Sequence, residues 1–233
     1  MFSKTYNAYQ YKDLLIRNED PYARVKYEII LAWLAKYKIK NVLNAGCGSG
    51  ELCLLLARNG YHVTGFDPDR DYINLAKKND KHGKCHFEVA KIENFKVRDK
   101  FDVVVATDVL EHIKNDKKAW KLLAQMVKPG GLVVITVPAG QYLFGFHDKK
   151  LGHFRRYSKK SLMEIRPNSL TLLDFRYFGF FLIPIAWIVS KLVKKSYPVA
   201  RSNTNVFLKL ILRVEKWLRL PVGTSLLFLG KNN

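Results

Sequence analysis

Asn41-Val42-Leu43-Asn44-Ala45-Gly46-Cys47-Gly48-Ser49-Gly50 is the stretch on which the reading of this chain turns. A short apolar run ends in three glycines at alternate positions, and Leu52, Leu55 and Leu56 follow at helical spacing. That order spells a buried strand, a tight turn and a helix. Without Cβ atoms the glycines let the backbone bend sharply and approach a ligand, and a helix starting near Ser49 has unpaired N–H groups to offer it. Downstream, Tyr61 to Phe66 reads as a second strand. Asp67 closes it about twenty residues beyond the glycines, where an acid in a βαβ unit accepts hydrogen bonds from ribose hydroxyls.

A dinucleotide turn would read G-x-G-x-x-G, but the third position after Gly48 is Glu51, and no Gly-Lys-Ser/Thr follows to make an ATPase-type phosphate loop. The residues resemble instead the first motif of the class I S-adenosylmethionine-dependent methyltransferases, in particular their type 11-like subgroup. Phe101-Asp102-Val103-Val104-Val105, Asp108-Val109-Leu110-Glu111-His112, Leu122-Leu123, and Lys128-Pro129-Gly130-Gly131 ahead of Leu132-Val133-Val134-Ile135 resemble that family's later motifs in their usual order, covering residues 41 to 137. The resemblance implies S-adenosylmethionine as cofactor. Its methionine part would lie on Asn44, Ala45, Gly46, Cys47 and Gly48, and its ribose on Asp67. Backbone around Ile92 would read the adenine edge, and Pro68, Asp108 and Val109 would complete the site.

Two positions depart from the family pattern. Asn44 stands where an acid is usual; its amide oxygen can accept from the cofactor's ammonium, without charge assistance. Lys91 stands where many relatives carry an acid that accepts from the adenine amino group, and lysine has no acceptor. These departures keep a competing reading in view, a non-catalytic protein that binds the cofactor in a regulatory or interaction role.

The rest of the chain supplies an alternation of strands and helices. Ala23 to Tyr37 has amphipathic spacing, with Arg24 either facing the cofactor's carboxylate or solvated on the surface. Asp69 caps a helix to Asn79, and Lys84 to Val89, Asp102 to Ala106 and Leu132 to Val137 read as strands, with a helix from Lys114 to Val127. Pro129-Gly130-Gly131 reads as a structural turn between helix and strand. Ser169 to Tyr177 and Ser225 to Gly230 are a sixth and a seventh strand. The expected fold is α/β: a Rossmann-like seven-stranded, mostly parallel sheet with flanking helices and a helical insertion between the last two strands. One domain spans 1–233, divided into an N-terminal flap and helix (1–40), the core (41–177), the insertion (178–223) and the final strand (224–233).

With 233 residues, 48% hydrophobic and 26% charged, the chain can bury one substantial core. Its net charge of +20 attracts nucleic acid, anionic membrane or acidic substrates without choosing among them. Three cysteines, an odd number without metal-ligand spacing and one inside the glycine turn, favour a reduced, cytoplasmic chain over a disulfide scaffold. The first thirty residues contain no apolar core of signal-peptide type.

Past the fifth strand comes His147-Asp148-Lys149-Lys150-Leu151-Gly152-His153-Phe154-Arg155-Arg156-Tyr157-Ser158. It resembles the H-D-x-x-x-G-H-x-R-R-Y element of a subgroup of bacterial and archaeal methyltransferases associated with cell-surface glycan or lipid pathways. Arg155 and Arg156 are the candidates to bind phosphate or carboxylate on the substrate. His153 is the candidate base, with His147 or His112 as substitutes and Tyr157 as a further catalytic candidate. Each also has an ordinary reading as a solvated loop residue, a local cap or a packed side chain. The expected chemistry is direct methyl transfer to an oxygen or nitrogen, without a metal or a covalent intermediate, because the sulfonium methyl is already activated.

The insertion is apolar and basic at once. Phe180 to Val189 is intensely apolar but shorter than the ~18 residues of a span, and Pro184 should kink a helix there. Asn205 to Leu220 puts Lys209, Arg213, Lys216 and Arg219 at helical spacing, and from Arg176 onward ten Lys/Arg face one acid, Glu215. Trp187 and Trp217 suit a headgroup layer. Residues 178–220 therefore read as a helix pair lying in an anionic membrane interface at the inner face of the cell membrane, with a lipid-linked or glycan-type acceptor. Packing over the sheet or in a homodimer is the competing reading, as is a soluble small-molecule acceptor. Nucleic acid is not favoured, because the aromatic residues sit in aliphatic runs rather than on a basic stacking surface.

Overall fold

The computed structural model describes residues 20–193 and 206–233. Of the flap expected in residues 1–20, residues 1–19 lie outside the described residues, as does the middle of the insertion, 194–205.

The glycine-turn strand is β1 (Asn41–Ala45), buried from Val42 onward. It runs parallel to β2 (His62–Asp67) on one side and β4 (Phe101–Thr107) on the other. β3 (Cys85–Val89) and β5 (Val127–Pro138) extend the sheet, β7 (Ser225–Asn232) inserts antiparallel to β5, and β6 (Leu170–Phe178) closes the edge, giving the order β3-β2-β1-β4-β5-β7-β6. This is the expected seven-stranded, mostly parallel Rossmann-like sheet. Successive β4 residues serve opposite faces, as strand period requires: Val103 and Val105 join one core, Val104 and Ala106 the other. The first core takes α1 (Pro21–Leu34), α2 (Glu51–Arg58) and α3 (Arg70–Asn79) through Ile30, Leu56 and Ile73. The second takes α4 (Asp116–Gln125) and α6 (Lys159–Ile165) through Trp120, Leu123 and Leu162. Full burial of each such side chain contributes roughly 1.5–3 kcal/mol.

Helix starts follow their caps. The Asp20 side chain accepts from the N–H groups of Tyr22 and Ala23 to start α1, and Asp69 does the same for Asp71 and Tyr72 at α3. Pro129-Gly130-Gly131 differs from expectation. These residues are part of β5 as a bulge, since Phe101 pairs with Val127 but Val103 with Leu132. Gly131 is required there because an added Cβ would lie 2.7 Å from the Asp102 carbonyl oxygen.

Between β6 and β7 lie a 3-10 turn (Phe180–Leu182), α7 (Ile183–Ile188), a π turn (Val189–Val193) and α8 (Val206–Glu215). Pro184 stands in the first turn of α7, where its missing N–H has no intrahelical partner to lose, so it starts the helix rather than kinking it. α8 turns its apolar stripe outward. Phe207, Leu210 and Val214 are exposed, as is Trp217 just past the helix end at 81%, while Leu212 and Glu215 face in. From the 3-10 turn through α7 to the π turn, Phe181, Ile185, Ile188 and Leu192 form a second exposed apolar row. Among the described residues no helix is long and apolar enough to cross a membrane.

Candidate active site

Gly46, Gly48 and Gly50 all have positive φ, which makes the turn after β1 affordable only to glycine. The N–H groups of Gly46 and Cys47 donate to the Phe66 carbonyl at 2.8 and 3.0 Å, locking the turn to the end of β2. A Cβ on Gly46 would come within 2.6 Å of the Val109 side chain, so the loop after β4 is packed directly against the turn. Gly48 N–H donates to one Asp67 oxygen at 3.1 Å and Asp69 N–H to the other at 2.9 Å. Burial pushes the Asp67 carboxyl up to about 7, even with these two donors pulling it back.

A cavity of about 650 Å³ opens at these strand ends. Asn44, Gly46, Cys47, Gly48, Asp67, Pro68, Ile92, Asp108 and Val109 all line it; Ala45 does not, being wholly buried in the sheet core. Asn44 is buried with its Nδ2 donating to Cys53 Sγ at 3.3 Å, while its Oδ1 has no hydrogen-bond partner. Lys91, the other departure from the family pattern, also lines the cavity. The glycine cradle, a buried carboxylate at the next strand end and an open amide acceptor between them fit a ligand with ribose hydroxyls and an ammonium group.

The cation that α1 brings to this site is Lys26. Arg24 is exposed, whereas Lys26 is buried with its Nζ 2.6 Å from Asp108 Oδ2. Asp108 also accepts from Thr136 Oγ1 at 3.2 Å and is the one non-glycine residue with positive φ among the described residues. Tyr27, next to Lys26, lines the cavity. No local pattern marks Lys26, since its partner lies 82 residues away in sequence.

The stretch from His147 to Ser158 folds inward more than expected. It forms α5 (Phe146–Leu151), a left-handed Gly152, and a segment ending at the Ser158 cap of α6. Asp148, fully buried, accepts from Gly145 N–H at 3.0 Å, Arg156 Nε at 2.7 Å and faces His153 Nδ1 at 2.9 Å. Burial alone would raise its carboxyl, but the His153 bond and the Arg156 charge and bond hold it down at about 2. Arg155 pairs with Asp116 at 2.6 Å and donates to the carbonyls of Ile113 and Lys114. Both arginine forks thus engage the protein's own acids and carbonyls, and neither residue lines the cavity. Tyr157 is a correction to the catalytic set: its ring is 2% exposed in the second core and its hydroxyl donates to Asp116 Oδ2 at 2.8 Å. Burial, then the Asp116 bond, pushes the phenol above its ordinary range, which suits a structural donor. His147, half-buried on α5, is not on the cavity wall.

Of the histidines expected to act, His112 lines the cavity. His153 packs edge-on against it, ring centroids 4.6 Å apart. Phe154 N–H donates to the Glu111 carbonyl at 2.8 Å, stitching the two segments together, and Phe154, Leu151 and Gly152 complete that wall.

A family model described as a methyltransferase domain matches residues 7–171. Among curated proteins the chain is similar to a ubiquinone biosynthesis O-methyltransferase of Bradyrhizobium diazoefficiens, 39% identical over 97 residues, covering 41% of this chain and 38% of that one. It is also similar to a protein of the same name from Coxiella burnetii, 28% identical over 149 residues and covering 58% and 61%. The chain thus spans about two-fifths to three-fifths of the length of these relatives. In three dimensions it matches the N-methyltransferase NodS of Bradyrhizobium japonicum, solved with S-adenosyl-l-homocysteine. The TM-score is 0.64 at 16% identity over 96% of this chain and 98% of that one. An S-adenosylmethionine-dependent methyltransferase of Mesorhizobium loti gives the same score at 13% identity, covering 89% and 98%. With the family model spanning more than half of its length and the site built as above, the chain belongs to the methyltransferase-domain family, the class I S-adenosylmethionine-dependent methyltransferases.

Proposed function

We propose that the protein methylates an oxygen or nitrogen of a lipid-linked or other membrane-associated acceptor, working at the inner face of the cell membrane. The observation that carries this reading is the pair of apolar rows on α7 and α8 that face solvent. α8 rests on α1, whose Tyr27 lines the cavity. The π turn after α7 is tied by Ser190 Oγ and Lys191 Nζ to the carbonyls of Leu143 and Phe144, just ahead of α5, which brings Leu151 to the cavity wall. A surface that inserts these rows into headgroups would hold the cavity near lipid. The curated relatives' printed name, an O-methyltransferase of ubiquinone biosynthesis, agrees with an oxygen acceptor.

When bound, the cofactor supplies an activated methyl group. The chain's residues then bind and align. Asp67 accepts from the ribose hydroxyls, Asn44 Oδ1 accepts from the ammonium, and the glycine turn lets backbone lie against the methionine part. His112, on the cavity wall with His153 and Asp148 behind it, faces the acceptor and takes its proton as the oxygen attacks. Proximity does most of the work, since the nucleophile, methyl and sulfur need only be held in line.

Charge contributes less to membrane attachment than the sequence suggests, because Lys216 pairs with Glu28 at 3.0 Å and Arg219 with Asp174 at 2.7 Å. Apolar insertion should therefore dominate, and vesicle flotation should persist at about 0.5 M salt, where the Debye length shrinks to roughly 4 Å. Replacing Phe207 and Trp217 together by Ser should abolish flotation while leaving cofactor binding intact. Recovery of the intact protein in the soluble fraction with and without anionic vesicles would sink the membrane reading. So would an apolar face that is buried in a homodimer in the presence of lipid.

A further inference from the structure

On the cavity wall away from the glycine turn, three side chains with metal-ligating atoms meet. Glu111 and His112 come from the 3-10 turn after β4, and His153 from the segment after α5. One ligand atom from each lies within 4.8 Å of the other two. Glu111 is fully buried, His153 nearly so, and His112 lines the cavity, so the cluster runs from the interior to the open space.

Its geometry is fixed from outside the cluster. The Phe154 N–H bond to the Glu111 carbonyl holds the two segments side by side. His153 turns Nδ1 to Asp148, which leaves Nε2 directed away from that carboxylate. Asp148 is itself anchored by Gly145 and Arg156. A carboxylate that orients one imidazole nitrogen while the other is presented elsewhere is the outer support that metal-binding histidines have. Two imidazoles and one carboxylate form a donor set suited to Zn²⁺, Mn²⁺ or Fe²⁺, and leave coordination positions open. Bonds of about 2.1 Å put ligand atoms roughly 3–4 Å apart, so small side-chain rotations close the set.

We propose that Glu111, His112 and His153 form a binding site for a divalent transition-metal ion on the cavity wall, with open positions that take an oxygen of the methyl acceptor. This departs from the expectation of transfer without a metal; the three residues lie 42 positions apart at their extremes and match no ligand spacing in the sequence. The ion's part in transfer rests on the methyltransferase reading, but its binding does not. With an ion bound, His112 serves as a ligand in place of the base role given above, and the acceptor hydroxyl loses its proton to water because the ion lowers its pKa. The oxygen lone pair forms the new C–O bond as the S–C bond breaks, and that electron pair stays on sulfur.

The test uses the full chain stripped of metal by a chelator, without cofactor or acceptor, titrated with MnCl₂ and separately with ZnCl₂ by calorimetry, with electron paramagnetic resonance for Mn²⁺. One ion per chain is expected. Binding should weaken at least about tenfold in His112→Ala and Glu111→Gln and stay unchanged in His86→Ala, an exposed histidine of β3. Circular dichroism checks folding, and His153→Ala carries the same expectation should Glu111→Gln fail to fold. Absence of both ions, or binding that survives every cluster substitution, overturns the site. Ion binding lost with the cluster in a protein that methylates nothing supports the site and leaves the methyl-transfer reading to fail alone. Turnover by protein that binds neither ion does the reverse.

Discussion

Cofactor affinity should rise with pH through neutrality, and Asp67 is the reason. Its carboxyl titrates at about 7, so the ionised fraction climbs from about one-tenth at pH 6 to about nine-tenths at pH 8. On the proposed contact, in which ribose hydroxyls donate to the carboxylate, the competent fraction increases about tenfold, or about 1.4 kcal/mol. The fold itself responds with the opposite sign. A carboxyl raised from 3.8 to about 7 gives stability that is fully present below its unfolded value and is lost as pH rises through the folded one, roughly 4 kcal/mol in all. The ligand-free protein should therefore gain less from neutral pH than its other acids would allow, and bound cofactor should recover the difference by drawing off the proton. Calorimetry with S-adenosylhomocysteine at pH 6, 7 and 8, in buffers of different ionisation heat, measures both affinity and proton release. A dissociation constant that is flat over this range, or proton release unchanged in Asp67→Asn, would refute the assignment.

Three further outcomes follow from the geometry. Lys26→Met leaves Asp108 without its buried cation and should cost about 3–5 kcal/mol in chemical denaturation, because an uncompensated interior charge is expensive. Asn44→Asp should tighten cofactor binding about fivefold by adding charge assistance to the contact with the ammonium, read by calorimetry. Tyr157→Phe removes one buried bond to Asp116 and should lower stability by about 1 kcal/mol with cofactor affinity unaltered, whereas a catalytic phenol would show as lost turnover at full stability.

What the sequence disclosed was local. The β1 turn and the acid closing β2 are set by glycine conformation and strand length, both readable within a few dozen residues, and nine of the ten residues expected to hold the cofactor line the cavity. Features that depend on long-range partners were opaque. A buried Lys26 is indistinguishable in sequence from a solvated one until Asp108 is brought to it. Arg155 and Arg156 read equally well as substrate forks or as partners for Asp116 and Asp148, because guanidinium chemistry serves both. The composition of α8 disclosed amphipathicity, but not that Leu212 and Glu215 would face in, where they meet the core and the backbone of Gly179 and Phe180. Pro129-Gly130-Gly131 has turn chemistry, and the chain uses it to make a bulge within a strand because neighbouring β4 keeps pairing on either side.

α1 holds a position whose meaning is thermodynamic. One side of it brings Tyr27 to the cavity wall and Lys26 to Asp108 of that wall, and another receives Lys216 of the α8 region through Glu28. Tyr22, at its start, hydrogen-bonds Thr224 and Ser225 of the returning chain. A single helix thus borders the cavity at one flank and contacts the outward helix at the other. If the proposed membrane attachment holds, linkage demands symmetry: the factor by which a lipid surface alters cofactor affinity equals the factor by which cofactor alters attachment to that surface.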